Sequence, residues 1–202
     1  MPQLTIYLDI VSPFAYLLFS RLLTSPLLAY TTIKPIFLGG LMKAASNQPP
    51  LAVPLKGKYI FHDLRRQAER YKIPLLASGM PQPFPQNTLF AMRALAAIED
   101  QQEMRAAMKL LFDAFWVQGR KVSEEATVRT VLGLVGGVET GKAVLERNTR
   151  EALEQGAFGV PWCVATRDDG EKDVFWGFDR MADVAGFLGL PWEEPSYNGS
   201  RL

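Results

Sequence analysis

The stretch Leu4-Thr5-Ile6-Tyr7-Leu8-Asp9-Ile10-Val11-Ser12-Pro13-Phe14-Ala15-Tyr16-Leu17-Leu18 decides the fold. Its first half is a β-branched and aromatic run, the composition of a buried strand. Ser12 then stands where a helix N-cap belongs. Pro13 follows at the first helical position, where a missing N–H costs no hydrogen bond. The helix continues through Tyr16, Leu17, Leu18 and Leu22 and stops before Pro26. Residues 31–38 read as a second strand ending at Gly39-Gly40. A strand, a helix and a strand in this order predict two parallel strands with a right-handed crossover.

The middle of the chain is helical. Residues 58–72 carry Ile60, Leu64 and Tyr71 near helical spacing before Pro74, and 81–85 form a proline-rich loop. Asn87 or Thr88 caps a helix through Leu89, Met92, Leu95 and Ile98. The pattern continues over 103–117 and 124–134, breaks at Gly136-Gly137, and resumes over 140–155. The end returns to strands, at 162–166 and 173–176, joined by a turn containing Asp168-Asp169-Gly170. A short amphipathic helix follows over 181–188. The order β-α-β, helical block, β-β-α predicts an α/β, thioredoxin-like fold interrupted by a large all-helical insertion. Segments 1–40 and 157–202 form the thioredoxin-like domain. Segment 41–156 is the mainly helical insertion, with its last helix returning to that domain.

Composition narrows the chemistry. Of 202 residues, 48% are hydrophobic and 21% charged, ordinary for a soluble globular protein. The net charge of +1 gives no electrostatic footprint for nucleic acid. No apolar run reaches the roughly 18 residues of a membrane span, and Met1-Pro2-Gln3 leads straight into a strand without a secretory pattern. The expected partners therefore include neither nucleic acid nor membrane. Cys163 is the only cysteine and His62 the only histidine. An internal disulfide, a Cys-x-x-Cys pair and a two-histidine zinc motif are all impossible, and no metal is expected. A bound small molecule has to supply the reactive atom.

Ser12 has two readings: a helix cap, or a cap whose hydroxyl and neighbouring N–H groups face a ligand thiolate. A free thiol has a pKa of about 8.5. A charge-assisted hydrogen bond of about 1.5–3 kcal/mol and a helix N-terminus of about 0.3–1 kcal/mol suffice to make thiolate the major form. Val160-Pro161 is either a proline at a strand entrance or a cis peptide whose neighbouring backbone pairs with a peptide-like ligand. Lys56, Asp179, Arg180 and Asn47 are either solvated or contacts for that ligand. Cys163 reads as a core thiol. Tyr16, Phe37, Phe61, Phe84 and Trp162 are candidates to line an apolar pocket.

Asp9-Ile10-Val11-Ser12-Pro13-Phe14-Ala15-Tyr16 resembles the active-site turn of kappa-class glutathione transferases and of their bacterial relatives, the 2-hydroxychromene-2-carboxylate isomerases. Gly156-Ala157-Phe158-Gly159-Val160-Pro161, Phe175-Trp176-Gly177-Phe178-Asp179-Arg180-Met181 and Ser46-Asn47-Gln48-Pro49-Pro50 extend the resemblance in the right order. It implies glutathione as the bound thiol, with Ser12 as the catalytic donor to its sulfur. Asn47 and Lys56 match positions that contact glutathione or shape the substrate side. Val160, before Pro161, matches the residue whose backbone pairs with the cysteinyl part. Phe178 and Asp179 match a Ser-Asp pair that holds the γ-glutamyl end. Phe178 replaces that serine, so only a backbone N–H contact survives there, while Asp179 pairs with the α-ammonium.

The activity implied is transfer of the glutathione thiolate to small hydrophobic electrophiles, or peroxide reduction with it. A glutathione-dependent isomerase and a non-catalytic glutathione-binding protein are the alternatives. Dithiol exchange, found on the same fold in DsbA-type oxidoreductases, is rejected because serine stands where the first cysteine would be. The family usually forms homodimers. Ser200-Arg201-Leu202 is a one-residue variant of the Ser-Lys-Leu peroxisomal address, on a segment expected to extend from the domain, with mitochondrial or cytoplasmic location as runner-up.

Overall fold

A computed structural model describes residues 1–195 of the chain. Its sheet has the order β2-β1-β3-β4, from β1 (Gln3–Leu8), β2 (Thr31–Pro35), β3 (Trp162–Thr166) and β4 (Lys172–Trp176). β1 runs parallel to β2, with Ile6 opposite Ile33, and antiparallel to β3, with Ile6 opposite Cys163. β3 and β4 form an antiparallel pair. Leu4, Ile6, Tyr7 and Leu8 are all buried. A central strand covered on both faces carries a continuous apolar run rather than an alternation.

The helices are α1 (Pro13–Leu22), α2 (Leu38–Ala44), α3 (Pro54–Tyr71), α4 (Leu89–Ala96), α5 (Gln101–Phe112), α6 (Glu125–Leu132), α7 (Glu139–Glu154) and α8 (Met181–Leu188). One core joins strand residues such as Leu4 and Ile6 to Met92, Leu111 and Phe115 of the helical segment. α7 lies hard against α4 because residue 141 is glycine: a Cβ there would sit 1.9 Å from the Arg93 carbonyl oxygen. Glu151 fastens α7 to the sheet, accepting from Tyr7 Oη at 2.8 Å and Lys34 Nζ at 2.6 Å.

The α/β order β-α-β, helices, β-β-α is as the sequence predicts. Three local readings are corrected. The second strand ends at Pro35, and Leu38–Ala44 is helix. The Leu38 N–H donates to Asp9 Oδ2 at 2.8 Å, a partner 29 residues away, which anchors the helix start. Gly39 and Gly40 lie under the Phe37 ring, where an added Cβ would approach to 3.2 Å. Those glycines mark close packing, not a strand end. α3 begins at Pro54, a turn earlier than Lys58, because proline is well placed at a first helical position. α5 begins at Gln101, since Asp100 caps it by accepting from the N–H groups of Gln102 and Glu103.

The segment after α8 is held rather than extended at its start. Arg21 donates to the Glu193 carbonyl at 2.5 Å, and the Glu194 carboxylate takes Tyr71 and Arg70. Ser200-Arg201-Leu202 lies outside the described residues.

Candidate active site

Ser12 caps α1 with an extended backbone, φ −80° and ψ 122°. Its Oγ accepts from the Ala15 N–H at 3.3 Å and donates to the Val160 carbonyl oxygen at 3.1 Å. The Tyr16 N–H is taken by the Ser12 carbonyl, and Pro13 has no N–H to give. Phe14 is then the first-turn residue whose N–H has no partner among the described residues. Ser12 is 6% exposed.

Val160 stands beside Ser12 at the entrance of β3, where pairing with β1 brings it, and the Val160-Pro161 peptide is cis. The proline stands at the strand entrance, and its peptide has the cis geometry of the second reading. The Pro161 carbonyl accepts from the Gly177 N–H at 3.1 Å, which ties this edge to the turn Phe178–Arg180. Gly177 needs to be glycine: its φ is +107°, and a Cβ would meet Asp179 Oδ1 at 2.6 Å.

The remaining sequence candidates divide. Asn47 joins the cluster, its Nδ2 donating to the Phe158 carbonyl at 2.8 Å. Phe178 is buried, its ring edge-on to Tyr71, so its side chain turns inward and only its backbone is left for a ligand. Asp179 is 66% exposed and pairs with Arg180 at 3.1 Å. Lys56 is exposed in the first turn of α3, and no contact among the described residues joins it to Ser12 or Val160. Cys163 is a core thiol, which burial pushes up to about 12.

The aromatic list is corrected. Tyr16 stacks on Trp116, and Phe84 packs on Phe115 and Trp116, so both serve the core rather than a pocket wall. Trp162 is buried as well. The aromatic rings that do reach solvent beside Val160 are Phe158, 36% exposed, and Trp176, 51% exposed. Their rings meet edge-on, 4.7 Å between centroids. An open depression of about 440 Å³ lined by Arg167, Asp168 and Phe187 lies at the β3–β4 turn and includes no residue of this cluster.

Sequence reasoning also passed over Asp9, reading it only as part of the strand. Its carboxylate is fully buried and accepts from the Val11 N–H at 3.1 Å, the Thr88 hydroxyl at 2.8 Å and the Leu38 N–H at 2.8 Å. Burial pushes this carboxyl up to about 6, while the three donors pull against that rise. The available signal was an acid at the end of an apolar run.

The entrance of β3, an interior strand between β1 and β4, thus lies beside the capped start of α1. The chain matches the DsbA-like thioredoxin domain over residues 3–189 and belongs to that family. It is 28% identical over 213 residues to glutathione S-transferase kappa 1 of Caenorhabditis elegans, covering 96% of this chain and 94% of that protein. Against glutathione S-transferase kappa 1 of Rattus norvegicus it is 28% identical over 214 residues, covering 95% and 93%. The solved structure of a 2-hydroxychromene-2-carboxylate isomerase matches with a TM-score of 0.72 at 24% identity, covering 92% of this chain and 94% of that one. The kappa-class resemblance carried by the Asp9–Tyr16 and Gly156–Pro161 motifs is borne out.

Proposed function

We propose that the protein is a glutathione transferase that joins the thiolate of bound glutathione to small hydrophobic electrophiles. The observation that carries this reading is the Ser12 Oγ to Val160 O hydrogen bond of 3.1 Å. A thiol-bearing peptide fits both partners of that bond. Ser12 has one proton to donate and turns it from the Val160 carbonyl to the ligand sulfur. The freed carbonyl then accepts an N–H from the ligand backbone. One bond is exchanged for two, one of them charge-assisted and worth about 1.5–3 kcal/mol. That is enough to lower a thiol pKa by one to two units, at about 1.4 kcal/mol per unit.

In the transfer, the sulfur forms a bond to the electrophilic carbon and the leaving group departs with the electron pair of the broken bond. The thiol proton goes to solvent. Phe158 and Trp176, exposed beside Val160, offer an apolar shelf for a flat electrophile. Asn47 supports the shelf through the Phe158 carbonyl. Asp179 binds the α-ammonium of glutathione, exchanging its Arg180 partner, and Lys56 takes a carboxylate of the ligand.

The isomerase reading uses the same serine and the same thiol, and the solved isomerase shares this fold. The transferase reading is favoured by the kappa-class names of the curated relatives. Steady-state conjugation of 1-chloro-2,4-dinitrobenzene with glutathione, run beside isomerisation of a hydroxychromene carboxylate, separates them. Absence of both activities leaves only a glutathione-binding role. Homodimer formation and peroxisomal location belong to the same proposal. Leu55, 76% exposed, and Tyr59, 58% exposed, on one side of α3 supply an apolar surface for a second copy.

A further inference from the structure

We infer that Asp9 is a positioning residue for Ser12. Its buried carboxylate holds the β1–α1 turn in register with the starts of α2 and α4. The inference rests on the reading of Ser12 as the donor to a bound thiol.

The geometry is specific. Asp9 leads Ser12 by three residues, and its own carbonyl accepts the Ser12 N–H at 3.1 Å, closing the turn. The side chain ties that turn at a second point, since Oδ1 accepts the Val11 N–H at 3.1 Å. Oδ1 also takes the Thr88 hydroxyl, just before α4, at 2.8 Å. Oδ2 takes the Leu38 N–H, the first of α2, at 2.8 Å. At its other end α2 leads into Asn47, whose N–H donates to the Met42 carbonyl at 2.8 Å. One carboxylate thus fixes the serine and, through a short helix, the residue that supports the Phe158 shelf.

The partners favour the charged form against the opposing effect of burial. All three are donors, so the carboxylate form is the one they fit. Among the described residues no charged side chain bonds to Asp9 from β1, α1, α2 or α4. Three hydrogen bonds, and no ion pair among the described residues, offset the burial of this group. An apolar residue would fill the position without desolvating a carboxylate, and a role in the serine's placement is what the three-point attachment provides.

The test compares wild type with Asp9→Asn and Thr88→Val. An asparagine keeps one acceptor oxygen and puts an NH₂ group against donors. The expected result is a kcat for conjugation about 10- to 100-fold lower in Asp9→Asn, the scale of a small misplacement of a catalytic group. The glutathione KM should change little, and the bound-thiol absorbance titration should shift upward. Thr88→Val removes one donor and should move the same readouts in the same direction by less. Should Asp9→Asn fail to fold, Thr88→Val decides. A second arm needs no ligand: amide hydrogen exchange at Ser12 should accelerate in both variants while β4 amides stay protected. If wild type shows neither conjugation nor a thiolate band, the glutathione reading fails and the exchange arm still judges Asp9. Wild-type kcat and thiol titration in a folded variant, or unchanged Ser12 exchange, overturns the inference.

Discussion

The ring of Phe178 meets the ring of Tyr71 edge-on, with 4.8 Å between centroids, and Tyr71 in turn donates to the Glu194 carboxylate. Position 178 is where the kappa-class pattern carries serine. Here the aromatic side chain has been drawn into the interface between α1, α3 and the turn after β4. The neighbouring backbone is tied to the start of β3, since the Gly177 N–H donates to the Pro161 carbonyl. Under the proposed function the departure costs the site a hydroxyl, while the Phe178 ring adds packing against Tyr71.

Phe178→Ser should consequently lose stability without gaining affinity. Truncating a buried phenylalanine costs about 3–5 kcal/mol, and the serine would face Tyr71 rather than a ligand. Urea unfolding should show the midpoint falling with the slope unchanged. Calorimetry should find glutathione bound no more tightly than in wild type. A tighter complex would mean that residue 178 turns toward the ligand.

Ser12→Ala should lower the conjugation rate far more than glutathione affinity. Removing one preorganised donor to a developing or resting anion costs about 10²–10³ in rate. The absorbance of bound thiolate should titrate at higher pH in the variant. An unmoved titration would assign the ionisation to the α1 N-terminus and its Phe14 N–H alone. Ser12→Cys should not yield a disulfide oxidase, because Cys163 is buried in β3 and holds its proton up to about 12.

Much of this was readable in the chain because the signals are local. The strand before Ser12, the cap and proline that start α1, the β3–β4 hairpin and α8 each follow from periodicity or a turn residue within a few positions. α2 was missed because its first N–H is satisfied by Asp9, 29 residues earlier, and no short-range pattern reports that. The aromatic residues were misassigned for a related reason. Tyr16 and Phe84 carry the composition of a pocket wall, but the structure spends them on Trp116. Ser12 and Val160 stand 148 residues apart, and the family resemblance placed both on one ligand without predicting the hydrogen bond between them.

Asp179→Ala should weaken glutathione binding and leave the bound thiol titration nearly unchanged. In the proposed complex the residue acts at the far end of the tripeptide from Ser12, and it stands 66% exposed beside Arg180. Losing it also frees Arg180, which remains within 3.6 Å of Asp183, so fold stability should hardly move. Isothermal titration together with thiolate absorbance checks both halves. A shifted titration with intact affinity would place Asp179 near the sulfur instead.

The buried carboxyl of Asp9 gives a pH dependence with a definite sign. Its folded value is raised to about 6 from an ordinary 3.8, so the folded state binds more protons than the unfolded one between those values. The stability it contributes is present at low pH and lost as pH rises through about 6. Relative to Asp9→Asn, wild type should therefore gain about 2 kcal/mol between pH 7 and pH 4.5. Chemical denaturation of both proteins at the two pH values measures it. A difference that runs the other way would mean that the three donors outweigh burial and hold the carboxylate below its ordinary range.

The peroxisomal proposal rests on Ser200-Arg201-Leu202, and the neighbouring structure bears on how it is tested. Glu193 and Glu194 are held by Arg21, Arg70 and Tyr71, so the segment is fastened to the fold six residues before Ser200. A receptor that reads a terminal tripeptide needs it clear of the fold. A fluorescent protein ending in residues 195–202 should collect in peroxisomes, and removing Leu202 should disperse it. In the full chain, Glu194→Gln should loosen the anchor, leave conjugation in place and leave import at least as efficient. A fusion that stays in the cytosol with its tripeptide intact refutes the address. It would leave the glutathione reading untouched, because that depends on Ser12, Val160 and Asp179 and not on where the enzyme is delivered.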